Sequence, residues 1–230
     1  MNIDIYYKPT YSLGLIRLAA GEQVRVESGA MVSMSTDTRV ETKATGGVMK
    51  SLARKVLTSE TFFQNTYTAG PSGGEVTVAP CLPGDLMVVE LDGSEAYLVQ
   101  GGDYVASEMA VQVDSKWGGA RTFFGGEGLF MLRCSGQGKL LVSSYGAVHE
   151  MQLAAGQRYT VDTGHLVAFS ERMGFKLRPI AGLKSTIFSG EGIVVDLTGP
   201  GRVLLQTRSF NAFLAFLAPQ LPSSGRGTVL

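Results

Sequence analysis

Leu18-Ala19-Ala20-Gly21-Glu22-Gln23-Val24-Arg25-Val26-Glu27-Ser28-Gly29-Ala30-Met31-Val32-Ser33-Met34-Ser35 returns later in the chain without a gap. The second copy reads Leu153-Ala154-Ala155-Gly156-Gln157-Arg158-Tyr159-Thr160-Val161-Asp162-Thr163-Gly164-His165-Leu166-Val167-Ala168-Phe169-Ser170. Eight of the 18 positions are identical, and Glu27-Ser28 against Asp162-Thr163 is a conservative exchange. Self-similarity over such a period points to a fold built from repeated units. Inside the first copy, Val24, Val26, Val32 and Met34 alternate with Gln23, Arg25, Ser33 and Ser35, the period-two pattern of half-buried antiparallel strands. Gly29 and Gly164 fall where a tight turn between such strands wants positive φ, which glycine adopts without steric cost.

Working outward, a third and weaker copy is anchored on Gly102, with Val105 opposite Val24, Val113 opposite Val32, and Ala110 in place of the turn glycine. A second block follows the later copies: Phe124-Gly125-Gly126-Glu127-Gly128 resembles Phe188-Ser189-Gly190-Glu191-Gly192. After each block, Gly138-Lys139-Leu140-Leu141 matches Gly201-Arg202-Val203-Leu204. The first copy keeps a blurred version in Phe62-Phe63, Gly73-Gly74 and Glu75 to Ala79. Three consecutive units are expected, at about 8 to 85, 86 to 147 and 148 to 210. The fold class is all-β: three β-sandwich or double-stranded β-helix-like repeats about a pseudo-threefold axis, with one or two short helices. Residues 1 to 218 are expected to form one compact domain, followed by a flexible tail from 219 to 230. Gly21, Gly29, Gly102, Gly156, Gly164, Gly199 and Gly201 are the expected structural turns.

Two stretches break the strand pattern. Gly47 to Glu60 places Met49, Leu52, Val56 and Leu57 at helical spacing opposite Lys50, Arg54 and Lys55. Ser209 to Leu217 puts Phe210, Phe213, Leu214 and Leu217 on one stripe, expected to pack on the sheets or on a neighbouring subunit.

Composition fits this reading. The 230 residues include 30 glycines, more than the turns of an average domain need, and only 17% are charged against the usual ~25%. Low charge is expected where much surface is hidden, between units or against copies of the same chain. Twenty basic and 20 acidic residues leave no net field for non-specific nucleic-acid binding, so a nucleic-acid partner is not expected. The N-terminus carries Asp4 and no apolar run of signal-peptide length, and the uncharged Ser209 to Gly225 stretch is short and broken by Pro219 and Pro222, so a cytoplasmic protein is expected. Cys81 and Cys134, with no partner at metal spacing, are expected to be reduced, buried thiols.

Candidate chemistry is sparse. His149-Glu150 starts like a zincin helix, but Leu153 stands where the second histidine belongs. His165 lacks the neighbours a cupin metal site needs and reads as a turn-edge residue. Gly70-Pro71-Ser72-Gly73-Gly74 matches the spacing of a nucleophile elbow, yet leads into a strand, so it is expected to be a hairpin loop. Gly136-Gln137-Gly138-Lys139 and Gly199-Pro200-Gly201-Arg202 lack the Ser or Thr of a phosphate loop and read as turns carrying a solvated cation. Glu127 and Glu191, in equivalent turns, are candidate ligand or partner contacts, as are Lys50, Arg54 and Lys55, which could meet an anionic surface. No catalytic, metal or cofactor-binding set is expected.

Tyr11-Ser12-Leu13, Gly21-Glu22, Glu27-Ser28-Gly29-Ala30-Met31-Val32, Gly46-Gly47, Phe62-Phe63, Ala79-Pro80-Cys81-Leu82-Pro83-Gly84-Asp85 and Gly199-Pro200-Gly201-Arg202-Val203-Leu204-Leu205-Gln206 form an ordered set spanning most of the chain. That set resembles the family of proteins related to the mitochondrial "altered inheritance of mitochondria" protein. The resemblance implies repeated units like those of the tryptophan RNA-binding attenuation protein, a short variant of the double-stranded β-helix. It implies no enzyme activity; the mitochondrial relatives are associated with inner-membrane organisation and respiratory complexes. Tryptophan or RNA binding does not carry over, because here the units are fused and divergent.

The expected function is that of a non-enzymatic, self-associating β-rich scaffold or interaction protein. The alternative is a small-molecule or nucleic-acid binding module using glycine turns such as Gly126 to Gly128 and Gly190 to Gly192. A third is peripheral membrane association through the Gly47 to Glu60 helix.

Overall fold

The computed structural model describes residues 1–44, 62–115, 130–180 and 192–221. After β1 (Asn2–Tyr6), the chain runs through β2 (Leu13–Leu18), β3 (Gln23–Glu27), β4 (Met31–Met34), β5 (Arg39–Ala44), β6 (Phe63–Thr68) and β7 (Gly74–Val78). It continues as β8 (Leu86–Asp92), β9 (Tyr97–Gln100), β10 (Tyr104–Glu108), β11 (Val111–Asp114) and β12 (Met131–Ser143). Last come β13 (Val148–Leu153), β14 (Arg158–Asp162), β15 (Leu166–Ser170), β16 (Gly174–Pro179), β17 (Ile193–Thr198), β18 (Gly201–Gln206) and the helix α1 (Phe210–Leu217). The all-β expectation holds.

The pairing has a simple rule. β7 lies between β2 and β4, the second half of β12 lies between β8 and β10, and β18 lies between β13 and β15. Each of the three layers carries a one-residue register shift, at Met31/Ser33, Tyr104/Ala106 and Leu166/Ala168. Such a bulge bends its strand and strengthens the local twist. A second layer follows the same logic, with β6 between β3 and β5, the first half of β12 between β9 and β11, and β17 between β14 and β16.

β12 corrects the reading of Gly136-Gln137-Gly138-Lys139 as a turn. These residues continue one 13-residue strand across both layers. Gly136 and Gly138 hold φ of +100° and +133°, which lets the strand bend between layers without breaking. Gly199 to Arg202 does span a turn, between β17 and β18, and Arg202 Nη2 donates to Glu150 Oε2 at 3.0 Å.

The bulges also correct the register of the weak middle copy. Gly101–Asp103 forms a short 3-10 turn entering β10, as Thr163–His165 does before β15. Gly102 therefore lies in a 3-10 turn that enters a strand, as Gly164 does. Gly21 and Gly156 sit in equivalent turns with φ of +69° and +75°, and Gly29 is also left-handed. Gly164 is not, contrary to expectation: the 3-10 turn keeps it in ordinary backbone, and a Cβ there would lie 2.7 Å from Ser209 Oγ. Its requirement is room. Gly201 likewise faces Met173, and Gly199 faces the Ala154 carbonyl, too closely for a side chain.

Three apolar clusters fill the interior. Ile16, Val24, Val26, Val76 and Val78 build one, Val89, Val99, Tyr104, Leu132 and Leu140 the next, and Leu153, Val161, Phe169, Leu197 and Val203 the last. Burying a side chain of this size is worth about 1.5–3 kcal/mol, so each cluster is a substantial anchor. The period-two expectation for Val32 and Met34 fails here, because all four residues of β4 are exposed.

The Ser209 to Leu217 helix forms, with Ser209 Oγ accepting from Ala212 N at 3.4 Å. It does not bury its stripe in the sheets. Phe210, Phe213, Leu214 and Phe216 are all exposed, with one edge-on ring contact from Phe213 to Tyr145. The helix expected over Gly47 to Glu60 and the tail from residue 222 lie outside the described residues.

Candidate functional site

The residues singled out as contacts, Glu127, Glu191, Lys50, Arg54 and Lys55, lie outside the described residues, as do Gly126 to Gly128, Gly190 and Glu191 of the glycine turns. His165 is a structural residue: its Nδ1 donates to the Gln206 carbonyl at 2.8 Å, a bond that assigns the proton to that nitrogen. Gly70 to Gly74 forms a strand-to-strand turn, closed by Gly73 N donating to Gly70 O at 3.0 Å. Among the described residues, no group of three or more His, Cys, Asp or Glu is placed to hold a metal.

The Ala79 to Asp85 motif is the crossing from β7 into β8. Ser12 N donates to Gly84 O and Gly146 N to Pro83 O, both at 3.0 Å, and Asp85 N donates to Gly146 O at 2.9 Å. The buried Asp85 carboxylate accepts from Ser12 Oγ at 2.9 Å and from Leu86 N at 2.8 Å, with Lys8 Nζ 3.6 Å away. A carboxylate holding several donors fastens the crossing in place. Beside it, Tyr11, Ser12 and residues 79 to 84 line a shallow cleft of about 260 Å³. Cys81 is exposed there, contrary to the expectation of two buried thiols, whereas Cys134 is fully buried; both are free. Burial pushes the Cys134 thiol up to about 12 despite the positive charge of Arg25.

Sequence reasoning missed a buried Asp103 near a half-buried Glu27 where β3 meets β10. Burial raises Glu27 to about 7. Asp103 is driven well above the usual carboxylate range, first by burial and then by the charge of Glu27. Tyr104 packs edge-on against Phe62, with ring centroids 5.1 Å apart, and its hydroxyl shares a 2.8 Å hydrogen bond with Ser107 Oγ. Glu27 stands 76 positions before Asp103, and nothing in that spacing revealed the approach.

The layers join through two strand pairs of one kind. β10 pairs with β3, placing Ala106 opposite Val26, Ser107 opposite Arg25 and Glu108 opposite Val24. β15 pairs with β9, placing Ala168 opposite Val99, Phe169 opposite Leu98 and Ser170 opposite Tyr97. Among the described residues, β4 pairs only with β7 and β14 only with β17, each at one end of its sheet. A wider cleft of about 560 Å³, lined by Gly21, residues 36 to 39 and residues 68 to 71, opens near the far end of β4. No helix among the described residues is long and apolar enough to cross a membrane.

This architecture has relatives. An uncharacterized protein of Streptococcus pyogenes serotype M6 is 28% identical over 232 aligned positions, covering 97% of this chain and 92% of the relative. The X-ray structure of a protein from Streptococcus pyogenes superimposes with a TM-score of 0.78 at 25% identity, covering 96% of this chain and 99% of the other. The family model described as "Mitochondrial biogenesis AIM24" matches residues 3–208, from β1 through the end of β18, and with that span the chain belongs to the AIM24 family.

Proposed function

We propose that the protein is a non-enzymatic, cytoplasmic, β-rich scaffold that works by associating with copies of itself and with other proteins. The three layers are read as three fused units about a pseudo-threefold axis, a reading supported by the recurrence of the same bulged strand in each. One observation carries the function: large apolar side chains stand exposed on two ordered elements. Met31, Val32 and Met34 are exposed on β4, and Phe210, Phe213, Leu214 and Phe216 on α1. Exposed apolar surface on a defined element marks an interaction site. Electrostatics do not draw in nucleic acid, since the chain is neutral. Light scattering of the full chain at micromolar concentration tests the proposal. It should give a multiple of the chain mass, and the mass of one chain would contradict it.

A second reading, a small-molecule binding module, is favoured by the cleft beside Gly21 and Gly70, whose volume falls in the ligand-pocket range. Native mass spectrometry of freshly purified protein tests it: a retained small molecule supports it, and bare protein mass speaks against it.

A further inference from the structure

The turn from β4 into β5 is built like the turn from β15 into β16, but it is filled differently. Thr38 N donates to Ser35 O and Glu75 N to Ser35 Oγ, both at 2.9 Å. In the later turn Met173 N donates to Ser170 O at 3.1 Å and Arg202 N to Ser170 Oγ at 3.0 Å. There the buried Met173 thioether packs onto Gly201, whereas the shorter Thr38 lies over Gly74. Among the described residues the buried Thr38 hydroxyl has no hydrogen-bond partner, and the cleft of about 560 Å³ opens beside it.

Two opposite charges line that cleft. Asp37 sits on Gly70, where an added Cβ would come within 2.8 Å of the Asp37 Cβ, an approach that only glycine permits. Arg39 opens β5 opposite Thr68, which itself stands opposite Gln23, so three polar side chains form a row on one face. Gln23 Nε2 donates to Thr68 Oγ1 at 2.9 Å, which leaves the hydroxyl proton of Thr68 to donate outward. Arg133, Arg178 and Arg202 each hold a carboxylate. Asp37 and Arg39, both exposed at one opening, make no side-chain hydrogen bond or ion pair among the described residues.

We propose that this cleft binds a small polyhydroxylated anion, a sugar acid or sugar phosphate, with the anionic group on Arg39 and two neighbouring hydroxyls on Asp37. This deepens the small-molecule reading above and rests on it. A guanidinium offers two parallel N–H donors to one carboxylate or phosphate. The Asp37 carboxylate only accepts, so it takes hydroxyl donors and repels a second anionic group. Among the described residues no aromatic ring lines the cleft, and the rest of the wall is Gly, Ala, Thr and Pro, so the ligand is held by hydrogen bonds and not by stacking. Small-ligand sites span about 300–1,000 Å³, and this cleft has room for a sugar as well as its anionic group.

Ligand-observed NMR and calorimetry on the full chain test the proposal, with glucose 6-phosphate and gluconate as probes and glucose and inorganic phosphate as controls. Saturable binding of at least one sugar anion is expected, with both controls weaker by about tenfold or more, since each lacks one half of the contact. Gluconate alone would name a carboxylate head, and glucose 6-phosphate alone a phosphate head. Asp37→Asn and Arg39→Gln, at exposed positions, should leave the melting temperature in place and each weaken the sugar anion about tenfold. Three results would overturn the proposal: no saturable binding of either anion at millimolar concentration, equal binding of glucose or phosphate, or full affinity in either variant. Native mass spectrometry separates the two levels. A retained molecule of other chemistry without sugar-anion binding retires this ligand class and leaves the small-molecule reading standing, and bare protein mass without sugar-anion binding retires both.

Discussion

Phe169 on β15 stands opposite Leu98 on β9, and neither side chain is exposed to solvent. The pair is where the last layer is fastened to the middle one, and Phe169 also meets Phe175 edge-on at 5.4 Å between ring centroids. Phe169→Ala should therefore cost about 3–5 kcal/mol, because the cavity it leaves is walled by two layers that cannot both collapse into it. Phe210→Ala, on the exposed helix, should stay within about 0.5 kcal/mol. Chemical denaturation of the two variants measures the difference, and equal costs would mean that the joint is not packed as described.

Glu27 makes stability depend on pH in an unusual direction for a carboxylate. Its acid is raised from the ordinary 4.5 to about 7 by burial, so the folded chain holds a proton that the unfolded chain releases. The contribution is complete below pH 4.5 and is lost as pH rises through about 7. Asp103, raised by burial and by Glu27, adds in the same direction. The melting temperature should fall between pH 5 and pH 8, at about 2–4 °C for each kcal/mol lost in a chain of this size. Glu27→Gln should flatten that fall, and a variant with the parent's full slope would assign the dependence elsewhere.

The two thiols should separate cleanly. Cys81 is exposed in its cleft, and Cys134 is buried with its acidity pushed to about 12. Since the thiolate is the reactive form, a thiol reagent at pH 8 should label one cysteine in the native protein and the second only on unfolding. Two fast-reacting thiols in the native chain would contradict the burial of Cys134.

Gly84 should tolerate no side chain. It bridges to Gly146 in the crossing between β7 and β8, and an added Cβ would overlap the Ser144 carbonyl oxygen. The obstacle is backbone, so the crossing itself would have to move. Gly84→Ala should lower the yield of folded protein and its melting temperature by at least as much as Phe169→Ala. A neutral effect would show that the crossing is looser than its hydrogen bonds imply.

What the sequence made readable was local. The alternation around Val24 and Val26, the turns at Gly21 and Gly156, the left-handed Gly29 and the helix after Ser209 each depend on residues close in the chain, and each was legible. Reading failed where a residue answers to a distant neighbour. Gly136 and Gly138 look like turn glycines, but they bend a strand whose two halves serve different layers. Gly164 reads as a left-handed turn glycine, but a 3-10 turn keeps it in ordinary backbone against Ser209. The approach of Asp103 to Glu27, and the exposure of β4 when its counterparts are buried, follow only from strand pairing across the chain. No spacing in the sequence encodes either.

The central claim is self-association through exposed apolar surface, and amide hydrogen exchange reads one such surface, the β4 edge, directly. Full-length protein should be compared at high concentration and after dilution below the point where light scattering reports single chains. Amides of Met31–Met34 should be protected in the concentrated sample and exchange quickly in the dilute one, while Tyr104–Glu108 and Leu166–Ser170 stay protected in both. Fast exchange of Met31–Met34 at every concentration would contradict the account.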